Sequence, residues 1–165
     1  MTTEQYQFTD DGTIPNSVFP MIVYRKAFGV SENLADEMER VFADNNWKNA
    51  WRNGVYDYHH FHSIAHEVLG VYSGSAQLRL GGEGGKTVTV EAGDVLVLPA
   101  GTGHKKISAS DDFGVVGAYP GGSDYDIRTG KESERETVLQ NIAKVSFPDN
   151  DPVQGNNNGI TNFWK

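Results

Sequence analysis

"GVYDYHHFHSIAHEVLGVYSG", residues 54–74, decides how this chain is read, because four of its five histidines fall between positions 59 and 66 and a glutamate follows at 67. Bounded by Gly54 and Gly74, the stretch reads as a strand over 55–62, a turn at 63–65 and a returning strand over 67–73. Side chains alternate faces along a strand. Tyr56, Tyr58, His60 and His62 are therefore expected on one face, and Asp57, His59 and Phe61 on the other. On the return, Glu67, Leu69 and Val71 share one side while His66, Val68 and Tyr72 share the opposite one. An antiparallel return brings Glu67, not His66, to the His60/His62 face. His59 and His66 are left pointing outward, at a sheet surface or a subunit contact. Tyr56 and Tyr58 are candidates for lining a pocket beside the first two inward histidines.

The fifth histidine lies in "GDVLVLPAGTGHKKIS", residues 93–108. Gly93 starts a strand there, Pro99 ends its hydrogen-bond ladder, and Gly101 and Gly103 permit a tight bend before His104. Brought across a barrel, this segment supplies a third imidazole to the His60/His62/Glu67 face. The chain has no cysteine, so any metal must be held by nitrogen and oxygen. Three imidazoles and a carboxylate form a borderline site suited to one divalent transition metal: iron, manganese, nickel, cobalt, copper or zinc.

These two stretches resemble the cupin family. Gly54, His60, His62, Glu67 and Gly74 match its first motif, G-x5-H-x-H-x4-E-x6-G, and Gly93, Pro99, Gly101 and His104 match most of the second, G-x5-P-x-G-x2-H-x3-N. Ser108 stands where the second motif has asparagine, which is not among the family's ligands. The longer run from "AHEVLG" at 65 to "AYPGG" at 122 is similar to the YjlB-like group of small single-domain cupins. The resemblance implies an all-β double-stranded β-helix, a jelly-roll barrel, with His60, His62, Glu67 and His104 ligating one metal inside it. It also implies a geometric role for Gly54, Gly74, Gly93, Pro99 and Gly101, and, by analogy with small cupins, a homodimer.

Outside the motifs, short strands are expected at 75–80, 86–90, 94–98 and 113–119, within a barrel core of about 54–120. The glycine-rich "GGEGGKT" at 81–87 lacks the spacing of a phosphate-binding loop and sits between "LRL" and "VTV", so it reads as a hairpin tip. Residues 18–28 read as an apolar extended segment. Helices are expected at about 32–46, with Leu34, Met38, Val41 and Phe42 on one face and Ser31 as N-cap, and at about 134–144, with Ser133 and Glu136 at capping-box spacing. The polar tail is anchored by Phe163 and Trp164. Arg79 is a candidate carboxylate clamp, Asp124, Asp126 and Arg128 read as a loop with a structural ion pair, and Lys105 and Lys106 read as solvated at a barrel mouth. One cupin domain over residues 1–165 is the expectation.

The 165 residues carry a formal charge of -8, which repels phosphate backbones, and no Lys/Arg cluster opposes it. Nucleic acid is not an expected partner, and neither is a membrane, since no long apolar run occurs. The expectation is a soluble, cytoplasmic, metal-binding protein that takes a small-molecule ligand. The leading reading is an enzyme of oxygenase, isomerase or decarboxylase type acting on an oxygen-rich metabolite. The rivals are a non-catalytic metal or ligand-binding module and a structural barrel with an empty site.

Overall fold

The computed structural model describes residues 1–165. A strand can be apolar throughout only where both of its faces are covered. Met21–Arg25 (β2), Glu67–Ser73 (β4), Val95–Leu98 (β7) and Gly114–Pro120 (β9) are of this kind, with nearly every residue buried. Thr2–Tyr6 (β1) and Trp47–Asn53 (β3) are more polar and more exposed. Together these strands form an antiparallel sheet in the order β1-β2-β7-β4-β9-β3, which puts the two exposed strands at its edges. Ser75–Leu80 (β5), Lys86–Glu91 (β6) and His104–Ala109 (β8) form a second sheet, ordered β6-β5-β8. In β5 and β6, buried and exposed residues alternate, as expected of strands with one face in water.

Alternation assigns the layers. Met21, Val23, Leu69, Val71, Leu96, Leu98 and Val115 of the large sheet pack against Ala76, Leu78, Leu80, Val88 and Val90 of the small one. The residues between them, including Ile22, Tyr24, Val68, Val95, Val97, Val116 and Ala118, face the other way. That outer face is covered by the helix Leu34–Asp44 (α1) through Leu34, Met38 and Phe42, and by Ile160 and Trp164 of the C-terminal segment. Each of these large side chains contributes on the order of 1.5–3 kcal/mol by leaving water. Two antiparallel sheets closed over one interior, with helices outside, constitute the jelly-roll architecture that the motifs imply.

Three expectations are corrected. Residues 55–62 do not form a continuous strand. His60 bridges to His104 and Phe61 to Arg128, so adjacent residues pair with different partners. A regular ladder cannot survive that division. The strand beside this segment is instead β3, whose "WKNAWRN" lacks β-branched residues and is interrupted by an irregularity between Lys48 and Trp51. α1 starts at Leu34 without a side-chain cap, since the Ser31 hydroxyl accepts from the Asn33 amide at 3.3 Å. Ser133 lies in a 3-10 turn, Glu132–Glu134, and the second helix Arg135–Lys144 (α2) follows it, with Val138 buried and Leu139 exposed.

The hairpin tip at 81–85 joins β5 to β6 as expected. The tail is better tied down than its composition suggests. Buried Asp151 accepts from the amides of Val153 and Gln154 at 2.8 and 2.9 Å through Oδ1, and from Ile160 N at 3.0 Å and the Tyr24 hydroxyl at 2.5 Å through Oδ2. Trp164, at the end of the short helix Ile160–Phe163 (α3), donates its indole N–H to Pro20 O at 2.8 Å. No helix is long and apolar enough to cross a membrane.

Candidate metal centre

His60 and His104 are brought together by backbone pairing. Each amide donates to the other's carbonyl, at 3.2 and 2.9 Å, so the two side chains leave the same face of the bridge with ring centroids 4.0 Å apart. The bend before His104 fixes the neighbouring histidine too. Gly101 has φ +96 and donates to the His62 carbonyl at 2.8 Å, and a β-carbon there would lie 2.4 Å from Asn16 O. Only glycine satisfies both conditions. Glu67 opens β4 on the inward face, as alternation requires.

The result is a buried cluster. Glu67 Oε1 lies 3.2 Å from His62 Nε2 and 3.4 Å from His104 Nε2. One ligand atom from each of these three residues falls within 4.8 Å of the others. His60 is equally buried and lines the same cavity beside His104, but its nitrogens fall outside that group of three. Thus the four residues named from the sequence share one cavity, three of them in close convergence.

Hydrogen bonds at the far side of each ring determine what the near side offers. Nδ1–H of His60, His62 and His104 donates to the carbonyls of Tyr58, Asp126 and Thr102. Because a carbonyl can only accept, the proton of each neutral ring belongs on Nδ1 and the Nε2 lone pair is free. Glu67 Oε1, also an acceptor, is buried with no hydrogen-bond partner. Lone pairs from two imidazoles and a carboxylate therefore face one another, an arrangement that requires a cation among them, either a proton or a metal. The donor set fits a borderline divalent metal.

If that cation is a proton, His62 holds it. Burial would raise the Glu67 carboxyl pKa, but His62 and His104 pull it well below the usual carboxylate range. Burial opposes charging of His62, yet the Glu67 carboxylate outweighs it and raises the pKa to about 9. Burial, reinforced by repulsion from His104, pushes His60 down to about 3.

A second layer holds these groups. The Tyr119 hydroxyl donates to Glu67 Oε2 at 2.8 Å and accepts from the Trp51 indole N–H, also at 2.8 Å. The indole lies across Gly117, where an added β-carbon would come within 2.3 Å of it. Asp126 orients His62 through its carbonyl, while its carboxylate accepts from Ser63 N at 2.7 Å, from the Ser63 hydroxyl and from Arg128 Nε at 2.8 Å. Asn141 of α2 donates to the Ser63 hydroxyl at 3.1 Å. The expected ion pair of the loop is thus Asp126–Arg128.

The cavity above the cluster measures about 340 Å³ and has aromatic walls contributed by Trp51, Tyr56, Tyr119 and Tyr125. Tyr56 lines it, whereas Tyr58 stacks on Tyr56 at 5.0 Å and does not. His59 faces away and meets Glu83 at 2.5 Å. His66 faces away as well, but it is buried rather than exposed. Its Nδ1 accepts from Ala100 N at 2.9 Å and its ring packs 4.8 Å from Trp164, because the C-terminal segment covers that face of the sheet. Burial lowers its pKa to about 4. Arg79 does not reach the cavity and instead bonds Thr87 and Glu83 O near the hairpin tip.

Trp51, Tyr119 and Tyr125 did not emerge from the sequence, and Asp126 emerged only as a member of a loop ion pair, not as the group that orients His62. Tyr119 could have, since it shares inward parity with Val115 and Gly117 on the last expected strand. Trp51 carried no such signal because β3 itself was not legible.

No family model matches the chain. Among solved structures, a chain from crystal structures of DMSP lyases is 24% identical, with a TM-score of 0.39 over 50% of this chain and 41% of that one. Acireductone dioxygenase from Bacillus anthracis, with a cadmium ion in its active centre, is 21% identical, with a TM-score of 0.36 over 60% of this chain and 61% of that one. A DUF861 family protein from Thermotoga maritima is 18% identical, with a TM-score of 0.33 over 59% and 93%. The uncharacterized protein YjlB of Bacillus subtilis (strain 168) is 44% identical over 163 residues, 98% of this chain and 96% of that protein. With that identity sustained over nearly both lengths, and with a jelly-roll barrel carrying an inward His/Glu cluster, the chain belongs to the YjlB-like cupins.

Proposed function

We propose that His62, Glu67 and His104, with His60 as a fourth donor, hold one divalent transition metal, and that the cavity above it is the active site of an enzyme acting on a small, oxygen-rich metabolite. The observation that carries this reading is the orphaned Glu67 Oε1, buried against two Nε2 lone pairs whose rings are locked by carbonyls behind them. A divalent metal bound there supplies Lewis acidity to chelating substrate oxygens and, where the element permits, redox chemistry.

The chain's own residues do the rest. Asp126 and Thr102 hold the imidazoles in the tautomer that donates through Nε2. Tyr119 keeps its proton, because burial and the adjacent Glu67 carboxylate both raise its pKa, and so it donates to Glu67 Oε2 throughout. The aromatic walls offer apolar surface to the carbons of the substrate, and a volume near the low end for ligand pockets limits the substrate to a small metabolite.

Elemental analysis of protein purified without chelator tests the metal. The expected result is close to one equivalent of a single transition metal per chain, lost in Glu67→Gln. Less than about a tenth of an equivalent after reconstitution with each candidate metal overturns the reading. Oxygen uptake or product formation from a panel of hydroxy acids, keto acids and sugars, abolished by His62→Ala, separates an enzyme from a metal-binding module that turns nothing over.

A further inference from the structure

The wall of the cavity carries a cation that the metal centre does not use. His104 and Lys106 are two apart on β8 and leave the same face, so both line the cavity, separated by roughly 6.6 Å along the strand. The Lys106 amide is fixed by donation to Tyr56 O at 2.8 Å. Its ammonium takes part in none of the protein's ion pairs. Glu67, at the cluster itself, is the one acid among the lining residues.

Arg52, the other cation in the wall, is already matched. Its Nη2 lies 2.7 Å from both Asp36 and Glu39, and its Nε donates to Glu39 at 3.0 Å. In a chain with a formal charge of -8, a half-buried lysine without a carboxylate beside it marks a local reversal of sign. Once Glu67 has cancelled one charge of a divalent metal, the metal and Lys106 leave the cavity with about two uncompensated positive charges in a confined space of low dielectric.

Resting on the metal reading above, we propose that Lys106 forms an anion subsite beside the cluster, so that the cavity takes a small dicarboxylate with its hydroxy-acid or keto-acid end at the metal and its distal carboxylate on the lysine. Such a ligand neutralises both charges, and a four-carbon acid has the length to reach from the cluster to a side chain two residues along the strand. The aliphatic and aromatic walls, Leu69, Ile127, Trp51 and Tyr125, enclose the carbons between its two ends.

Two probes test this. Malate and 2-hydroxybutanoate share a hydroxy-acid end and differ in that malate has a carboxylate where the other has a methyl group. In titrations of the cobalt-loaded protein followed by visible absorbance, malate is expected to bind at least about tenfold tighter, as a charge-assisted contact provides. Lys106→Met should remove that advantage without affecting 2-hydroxybutanoate, and Lys106→Arg should retain most of it. Equal affinities in the wild-type protein, or equal losses for both acids in Lys106→Met, overturn the proposal.

A metal-free measurement separates this failure from failure of the metal reading. Trp47 and Trp164 are each 1% exposed, so Trp51 is the tryptophan that a quencher in the cavity reaches. Iodide quenching is expected to fall by about half or more in Lys106→Met, while quenching by neutral acrylamide stays unchanged. Unchanged iodide quenching overturns the anion subsite whether or not metal binds. A fall in iodide quenching with no cobalt taken up keeps the subsite and overturns the metal.

Discussion

His60 and His104 face each other across a single antiparallel bridge, each amide bonded to the other's carbonyl, with their rings 4.0 Å apart. Their positions are set by main-chain pairing and do not depend on a metal. The four residues nonetheless differ in how closely they converge. His62 and His104 approach Glu67 Oε1, while His60 lies beside the trio. Metal affinity should therefore fall furthest in His62→Ala and His104→Ala, by about a hundredfold or more, and less in His60→Ala. Competition titrations with a chromophoric chelator measure this order, and an equal or greater loss in His60→Ala contradicts it.

Gly117 and Trp51 give a remote route to the same carboxylate. A methyl group at position 117 overlaps the indole, so Gly117→Ala should shift Trp51 off the Tyr119 hydroxyl. The cost is expected to be about 1–3 kcal/mol, from a displaced side chain in a packed wall. Chemical denaturation measures it, and red-shifted tryptophan emission locates it. A fully stable variant with unchanged emission shows that the wall yields without displacing the indole.

His66 sets a pH dependence of stability. Its folded-state pKa, about 4, lies below the ordinary value of 6.5 because burial disfavours the cation. Between these two values the unfolded chain binds a proton that the folded chain does not. Stability is thus fully present above about pH 6.5 and is lost as the pH falls toward 4, at up to about 1.4 kcal/mol per unit. Asn at 66 supplies an acceptor for the Ala100 amide without titrating. His66→Asn should flatten the slope of unfolding free energy between pH 5 and 6.5 by up to that amount, and an unchanged slope rules out His66 as its source.

Asp151 folds the C-terminal segment on itself through three hydrogen bonds, from Val153, Gln154 and Ile160, and ties it to the sheet through a fourth, from Tyr24. Asp151→Ala leaves a buried tyrosine hydroxyl and three amides short of their acceptor, and should cost about 3 kcal/mol or more. Protease cleavage confined to residues beyond 145 is the expected signature. A variant as resistant to proteolysis as the wild type would show that Trp164 and Ile160 hold the segment without it.

Much of the site was legible because alternation along strands depends only on parity. The rule that put Glu67 with His60 and His62 works from chain geometry, and it holds although residues 55–62 are not a regular strand, since the bridges at His60 and Phe61 keep the backbone extended there. The barrel strands were legible because β7 and β9 lie between glycine and proline and are rich in valine, while Gly74 separates β4 from β5 and alternation marks β5. β3 was not, because its two tryptophans are spaced across an irregularity that places Asn49 at φ +61. The burial of His66 was invisible for another reason. Whether the back of a sheet meets water depends on what packs there, and the segment that covers it lies about a hundred residues away in sequence.

The contact between Asn141 and Ser63 gives α2 a bearing on the buried cluster. Asn141 braces the serine, the serine steadies the Asp126 carboxylate, and the same aspartate's carbonyl aims His62. A helix outside the barrel is thereby geared to an imidazole inside it. Anything that pries that helix loose, whether a truncation or a neighbouring molecule wedged beneath it, would be felt as slack in one imidazole.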